Sequence, residues 1–225
     1  SSRFRNKVLS KIDGIELIKI QYKRLLKVKS KKKIIFLIPK KNNKNLKSFL
    51  NLNKINFFAG EEKDVLSRYY NAAKKYKSKN IIRLTGDCPL IDYRLIDKLI
   101  KSFFEGKADY MSNTINRSFP HGMDMEIFTF NTLKKIKKMA HTRYDKEHVT
   151  SFLTKNKNKF LIKNFTNYKN EKNYRITVDF AEDLEVIKEI IKFYNGNIFI
   201  SCKQIVECLK KKRNIGLINS KYKIY

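Results

Sequence analysis

Two aspartates stand where an enzyme that handles phosphates would need them. Asp87 closes the string Thr85-Gly86-Asp87 and is followed by Cys88-Pro89, just past the apolar run Asn80–Thr85. Asp179 follows a second run, Tyr174–Val178, and directly precedes a helical pattern. Both runs read as strands, and in an open α/β sheet ligands bind beyond the carboxyl ends of the strands. Two carboxylates gathered there can share Mg²⁺, an ion that takes oxygen ligands and bridges phosphate oxygens. An aspartate in either place can also simply cap the turn that follows it, and spacing alone leaves both readings open.

The opening segment Ser1-Ser2-Arg3-Phe4-Arg5-Asn6-Lys7 brings hydroxyls, backbone N–H groups and cations ahead of a helix. Such a composition can cradle a phosphate chain, and it is equally that of a frayed basic terminus. It is not a Walker A loop, because no Gly-x4-Gly-Lys pattern occurs. A third candidate is Pro120-His121-Gly122-Met123-Asp124-Met125-Glu126. On a strand, Asp124 and Glu126 would share a face and could bind a metal or sugar hydroxyls; a solvated strand edge has the same pattern. His121, between Pro and Gly, belongs in a loop, where a ligand role is open to it. His148 falls in a helical pattern as a packing or capping group, and His141 has no defined context. Three histidines without companion cysteines do not make a structural zinc site. Cys88 has no base beside it in the sequence and reads as a small buried filler.

These residues need elements to position them. An amphipathic helix is expected over Ile15–Val28, with Ile15, Ile18, Tyr22 and Leu25 on one face, then a buried strand Lys33–Pro39. A short helix Leu46–Leu52, a strand Ile55–Ala59 and a helix Asp64–Tyr76 follow. Next come the strand Asn80–Thr85, a helix Tyr93–Phe104 stopped by Gly106, and a strand Asp109–Asn113. This alternation argues for a doubly wound α/β sheet. The second half reads as a strand Met125–Phe130, a helix Asn131–Met139 capped by Asn131 or Thr132, and a helix Asp145–Asn156. Strands Lys159–Phe165 and Tyr174–Val178 follow, then helices Ala181–Tyr194 and Lys203–Lys212 with a weak tail.

Composition limits the classes. The chain has 225 residues, 42% hydrophobic, enough to bury a core. Three cysteines without a CxxC pair exclude a disulfide framework and point to a reducing, cytoplasmic setting. The longest fully apolar run, Ile34–Ile38, is too short to cross a bilayer, and no apolar leader opens the chain, so no membrane insertion is expected. The net charge of +30 invites a nucleic-acid reading. Of the 51 basic residues, however, 41 are lysine and 10 arginine, spread along the chain, whereas phosphate-reading faces favour the bidentate arginine fork. A solvated lysine surface fits better than a dedicated nucleic-acid face.

Six ordered segments resemble one family. Arg83-Leu84-Thr85-Gly86-Asp87-Cys88-Pro89-Leu90-Ile91-Asp92 is similar to the R-[IL]-T-G-D-C-P-L-I-D motif of SpsF-like proteins, in the acylneuraminate cytidylyltransferase superfamily. Gly60 to Tyr69 matches G-x-x-x-D-V-L-x-R-Y, Ala108 to Thr114 matches A-D-Y-x-S-N-T, and Gly122 to Glu126 matches G-x-D-x-E. Glu147 to Thr150 matches E-H-V-T, and Thr177 to Leu184 matches T-V-D-x-x-E-D-L. The match covers about residues 1–194, in order.

The resemblance implies a GT-A-like nucleotidyltransferase fold, Rossmann-like, with a mostly parallel central sheet flanked by helices. Residues 1–200 would form the nucleotidyltransferase domain and 201–225 a C-terminal helix and tail. It implies transfer of CMP from CTP to a sugar acid with Mg²⁺ and release of pyrophosphate, in surface polysaccharide or glycan biosynthesis, by a homodimer. Arg3, Lys7 and Asp87 would be catalytic, and Asp87 and Asp179 would hold the metal. Ser2, Arg3, Lys7, Glu61, Asp64, Arg68, Thr85 and Asp87 would bind the nucleotide, and His121, Asp124 and Glu126 the sugar. The chain departs from the family pattern twice. That pattern opens with a strand ending in Ala-Arg ahead of the phosphate loop; this sequence begins after it, so the sheet is expected to lack its first strand, and either the sequence is a fragment or the chain is impaired or stabilised by a partner. Arg5-Asn6 also replaces Pro-Gly. Three other readings compete: a GT-A glycosyltransferase whose metal sits on Asp124 and Glu126, a basic nucleic-acid-binding module, and a degenerate, non-catalytic homologue.

Overall fold

The structure is a computed structural model that describes residues 7–41 and 43–222. A short turn at Lys7–Leu9 leads into a hairpin, β1 (Lys11–Ile12) and β2 (Ile15–Glu16), and then α1 (Leu17–Leu26). Then follow β3 (Phe36–Pro39), α2 (Lys44–Leu52), β4 (Phe57–Gly60), α3 (Val65–Lys75), β5 (Asn80–Arg83), α4 (Tyr93–Glu105), β6 (Tyr110–Ser112), β7 (Glu126–Thr129) and α5 (Phe130–Met139). The chain continues through α6 (Arg143–His148), α7 (Ser151–Lys155), β8 (Ile162–Asn164), α8 (Ala181–Phe193), α9 (Cys202–Lys211) and α10 (Arg213–Leu217).

β3 and β4 pair in parallel, Phe36 opposite Phe57. The larger sheet has the order β5-β7-β6-β8. β6 and β8 are parallel, and β7 lies antiparallel between β5 and β6, so β7 alone is reversed in that sheet. Among the described residues no strand joins the two sheets. A cavity of about 470 Å³ lies between β3 and β5, with a mainly apolar lining that includes Ile18, Ile38, Ala73 and Ile82; its polar and site-side lining includes Arg68, Thr85 and Gly86. The buried apolar residues fall into three clusters. The largest packs α4 and α8 with the C-terminal helices, through residues such as Leu99, Ile187, Ile205 and Ile215. A second centres on α3, α5 and β7, and a third on β3 and α2.

Local chemistry sets the helix starts. Asp64 caps α3 by accepting the Ser67 N–H at 2.8 Å, and Asp92 caps α4 through Arg94. Three expected elements differ. Thr129 caps α5 through the Thr132 N–H, in place of Asn131 or Thr132, because the helix begins earlier, at Phe130. The single helix expected over Asp145–Asn156 is two, broken at Val149, which has φ 55° and ψ −62°. Tyr174–Val178 forms no strand: it is an extended segment joined to its neighbours by one isolated bridge, His121 to Arg175, and by the Val178 N–H donating to the Asp87 carbonyl at 2.8 Å. The tail read as weak carries α10. No helix among the described residues is long and apolar enough to cross a membrane.

Candidate active site

Lys7, Asp87 and Asp179 come from distant parts of the chain and meet at one point. The Lys7 ammonium lies 2.8 Å from Asp179 Oδ1 and 3.3 Å from Asp87 Oδ2. All three side chains are partly exposed, at 21–27%. Burial, the largest single influence on Lys7, pulls its pKa down, but the two carboxylates outweigh it and the result is raised. Asp179 is held below its ordinary value: burial pushes it up, and hydrogen bonds and charge from Lys7 and Arg175 overcome that.

Two parts of the chain hold the Asp87 loop. From α1, the Gln21 Nε2 amide donates to the carbonyls of Thr85 (2.8 Å) and Cys88 (3.0 Å). The Thr177 hydroxyl donates to the Asp87 carbonyl at 3.1 Å. Cys88 is 2% exposed; burial foremost, with the Asp87 charge next, pushes its thiol well above the ordinary range, as befits a filler. On the other side, Arg175 Nη2 donates to Asp179 Oδ2 at 3.0 Å. Arg175 is fixed in turn by Asp183, through Nε at 2.9 Å and Nη2 at 2.8 Å.

The segment 120–124 lies against Asp179's own segment. The His121 N–H donates to the Tyr174 carbonyl and its carbonyl accepts from Ile176. Gly122 has φ +111°, and a Cβ there would lie 2.6 Å from the Ile176 carbonyl carbon, so only glycine lets the two segments touch. His121 Nδ1 is 3.5 Å from Arg175. Burial foremost lowers the His121 pKa; the Arg117 and Arg175 charges add to this and Asp124 opposes it. Asp124 pairs with Arg117, which donates through both terminal nitrogens.

The structure does not join Asp124 to Glu126. Glu126 is 7% exposed, with one oxygen accepting from Arg83 and the other from the Tyr110 hydroxyl at 3.0 Å. These carboxylates therefore do not form the shared metal site that the glycosyltransferase reading needs. Asp64 serves as a helix cap, and Arg68, 6% exposed, donates to the carbonyls of Glu61 and Glu62 and so shapes the loop Gly60–Glu62. The Glu61 side chain is exposed there. Thr85 Oγ1 lies 3.2 Å from Cys88 Sγ. Ser2 and Arg3 lie outside the described residues.

Sequence reasoning missed Gln21, Arg117, Arg175 and Asp183 as site builders. One signal was available: Arg175, Thr177 and Asp179 recur at a period of two, which places them on one side of an extended segment.

Helices flank the sheet, and Lys7, Asp87 and Asp179 meet at one point, with Asp87 in the loop that follows β5. The family model described as cytidylyltransferase matches residues 1–208, and the chain belongs to that family. It is 35% identical over 223 residues to the uncharacterized protein MJ1063 of Methanocaldococcus jannaschii, an alignment covering 98% of this chain and 90% of that one. It is 29% identical over 157 residues to the spore coat polysaccharide biosynthesis protein SpsF of Bacillus subtilis, covering 68% of this chain and 64% of SpsF. The fold superposes on a cytidylyltransferase from Leptospira borgpetersenii serovar Hardjo-bovis with a TM-score of 0.91 and 28% identity, over 100% of this chain and 94% of that one.

Proposed function

We propose that this cytidylyltransferase transfers CMP from CTP to a sugar acid of the acylneuraminate class, releasing pyrophosphate, in surface polysaccharide or glycan biosynthesis. The convergence of Lys7, Asp87 and Asp179 carries the reading. The acceptor hydroxyl attacks the α-phosphorus in line; the new P–O bond forms as the bond to pyrophosphate breaks. A protein assists such a transfer mainly by positioning the partners and neutralising charge.

The residues present fit Mg²⁺. Two carboxylates point at one place, and a cation, the Lys7 ammonium, already stands between them. Mg²⁺ binds through one or two carboxylates and completes its shell with water and phosphate oxygens, and Asp87 and Asp179 are two carboxylates reached by one ammonium. Asp87 and Asp179 would hold the ion, whose chemistry is to neutralise charge on the phosphates. Lys7, with Ser2 and Arg3 of the opening segment, would hold triphosphate oxygens. The loop Gly60–Asp64, its start shaped by Arg68, would lie near the base, and Thr85 would also bind the nucleotide. His121 and Asp124 would face the acceptor, while Glu126 stays in its buried pair with Arg83. The enzyme would act in the cytoplasm as a homodimer.

The test is thermal unfolding with CTP, UTP, ATP and GTP, each with and without Mg²⁺. A ligand at about 100 times its Kd adds about 2.7 kcal/mol of stability, a readily measured shift. The expected outcome is a shift selective for CTP and enhanced by Mg²⁺. A shift with UDP-sugars and none with CTP would favour the glycosyltransferase reading, and salt-sensitive binding to any DNA or RNA would favour the nucleic-acid module.

A further inference from the structure

The carboxylate of Asp183 is fully buried and accepts five hydrogen bonds. Two come from Arg175, at 2.9 and 2.8 Å. Two come from the backbone N–H groups of Asp179 (2.8 Å) and Phe180 (3.1 Å), which lock the peptide that carries Asp179. The fifth comes from the far end of the chain: Asn219 Nδ2 donates to Asp183 Oδ1 at 2.8 Å and also to the Arg175 carbonyl at 3.2 Å. Asn219 is only 3% exposed. It therefore touches both groups that aim Asp179, one through its side chain and the other through its backbone.

The residues after Asn219 continue the contact. The Tyr222 ring stacks on Phe180, the neighbour of Asp179, at 3.8 Å between centroids and 6° between planes. Its hydroxyl and the Lys221 ammonium each reach one oxygen of Glu182, at 2.8 and 2.6 Å. The Arg175 guanidinium lies 5.9 Å from both ring centroids. Apolar cover is supplied by other residues of the same region, such as Ile215, which is 4% exposed in the largest core cluster. What Asn219, Lys221 and Tyr222 add is polar or aromatic and falls on residues 175–183. All three lie beyond residue 208, where the match to the family ends.

We propose that the C-terminal segment Asn219–Tyr222 positions the catalytic carboxylate Asp179, with Asn219 as the central positioning residue, acting through Asp183 and Arg175. The proposal rests on the cytidylyltransferase reading only for its kinetic consequence. Groups that orient a metal ligand without touching the metal change affinity or turnover by about 10–100-fold when removed.

The experiment compares the native chain with Asn219→Ala, Asn219→Asp and Ile215→Ala. Asn219→Asp keeps the shape and turns the donors into acceptors beside Asp183. Ile215→Ala removes apolar packing from the same helical end and none of the hydrogen bonds. Turnover of CTP with an N-acylneuraminate as acceptor is measured across Mg²⁺ concentrations, at a temperature well below each variant's Tm. Exchange of the Arg175 Nε–H is followed by NMR without nucleotide or metal. Both Asn219 variants should lose about tenfold in kcat and need more Mg²⁺ for half-maximal rate, with KM for CTP within about twofold, and Arg175 Nε–H should exchange faster. Ile215→Ala should lower Tm with kcat and Mg²⁺ dependence unchanged. The proposal is overturned if the Asn219 variants keep native kcat and native Arg175 exchange, or if Ile215→Ala reproduces their losses. Should the native chain turn over no CTP with that acceptor, the proposed reaction fails, and Arg175 exchange alone still decides the positioning claim.

Discussion

Lys7 lies between Asp87 and Asp179, so a divalent cation held by both carboxylates, as proposed, would take the place of its ammonium. On that reading, metal and triphosphate binding would be coupled at this one residue. Magnitudes separate the proposed catalytic role of Asp87 from a structural one. Its pair with Lys7 is partly exposed, and such pairs contribute about 0–1 kcal/mol. Loss of charge stabilisation in a transition state costs about a hundredfold or more in rate. Asp87→Asn should therefore cut CTP turnover at least about a hundredfold while moving Tm little; an unchanged rate would remove Asp87 from the site. Asp87 and Asp179 were legible in the sequence because each ends an apolar run. Glu126 was not: its partners are Arg83, 43 residues away, and Tyr110, and no local pattern reveals a buried pair. Arg175 was hidden for a related reason, since an arginine between apolar neighbours looks like one more member of a strand.

At the scale of elements, α1 shows how much a periodic pattern conveys. The helix is where the apolar spacing places it, yet Gln21 and Arg24 are buried along with Leu17, Ile18 and Ile20. Arg24 is fully buried without a carboxylate partner. It donates to the carbonyls of Leu90, Ile91, Ile198 and Ile200, pinning α1 to the turn after Asp87 and to the approach to α9. Burial, the foremost influence, brings its pKa down to about 10. Arg24→Met keeps much of the volume and orphans four carbonyls, each worth about 1–3 kcal/mol if left unpaired. The expected result is a loss of at least about 3 kcal/mol in denaturant unfolding; a loss under about 1 kcal/mol would mean the loops find other donors. The strand assigned to Tyr174–Val178 failed because extended backbone is not a ladder: its bonds go to His121 and Asp87 one at a time. The break at Val149 had no signal at all. Its positive φ and the Thr150 N–H donating to His148 at 2.5 Å make a γ-turn of the strained hand, which a β-branched residue rarely adopts.

Over the whole molecule, the α/β alternation of the first half was the most legible feature, and the reversal of β7 the least, because strand direction depends on partners distant in sequence. The apolar interior divides into three clusters; Leu90 and Ile91 belong to the largest, but Thr85–Cys88 just before them belong to none and are held by hydrogen bonds from Gln21 and Thr177. The cysteines sample both environments. Cys202 and Cys208 lie in the largest cluster, and Cys88 sits in the loop; all three are buried and unpaired. Burial, chiefly, raises all three, Cys202 to about 12. A folded chain thus offers an alkylating reagent almost no thiolate, and each cysteine becomes a clock for the opening of its own surroundings. Cys88 should be marked first and slowed by CTP, with Cys202 and Cys208 marked later and together. Equal rates at all three would mean that the loop opens only when the entire molecule does, and that the nucleotide meets a site already rigid before it arrives.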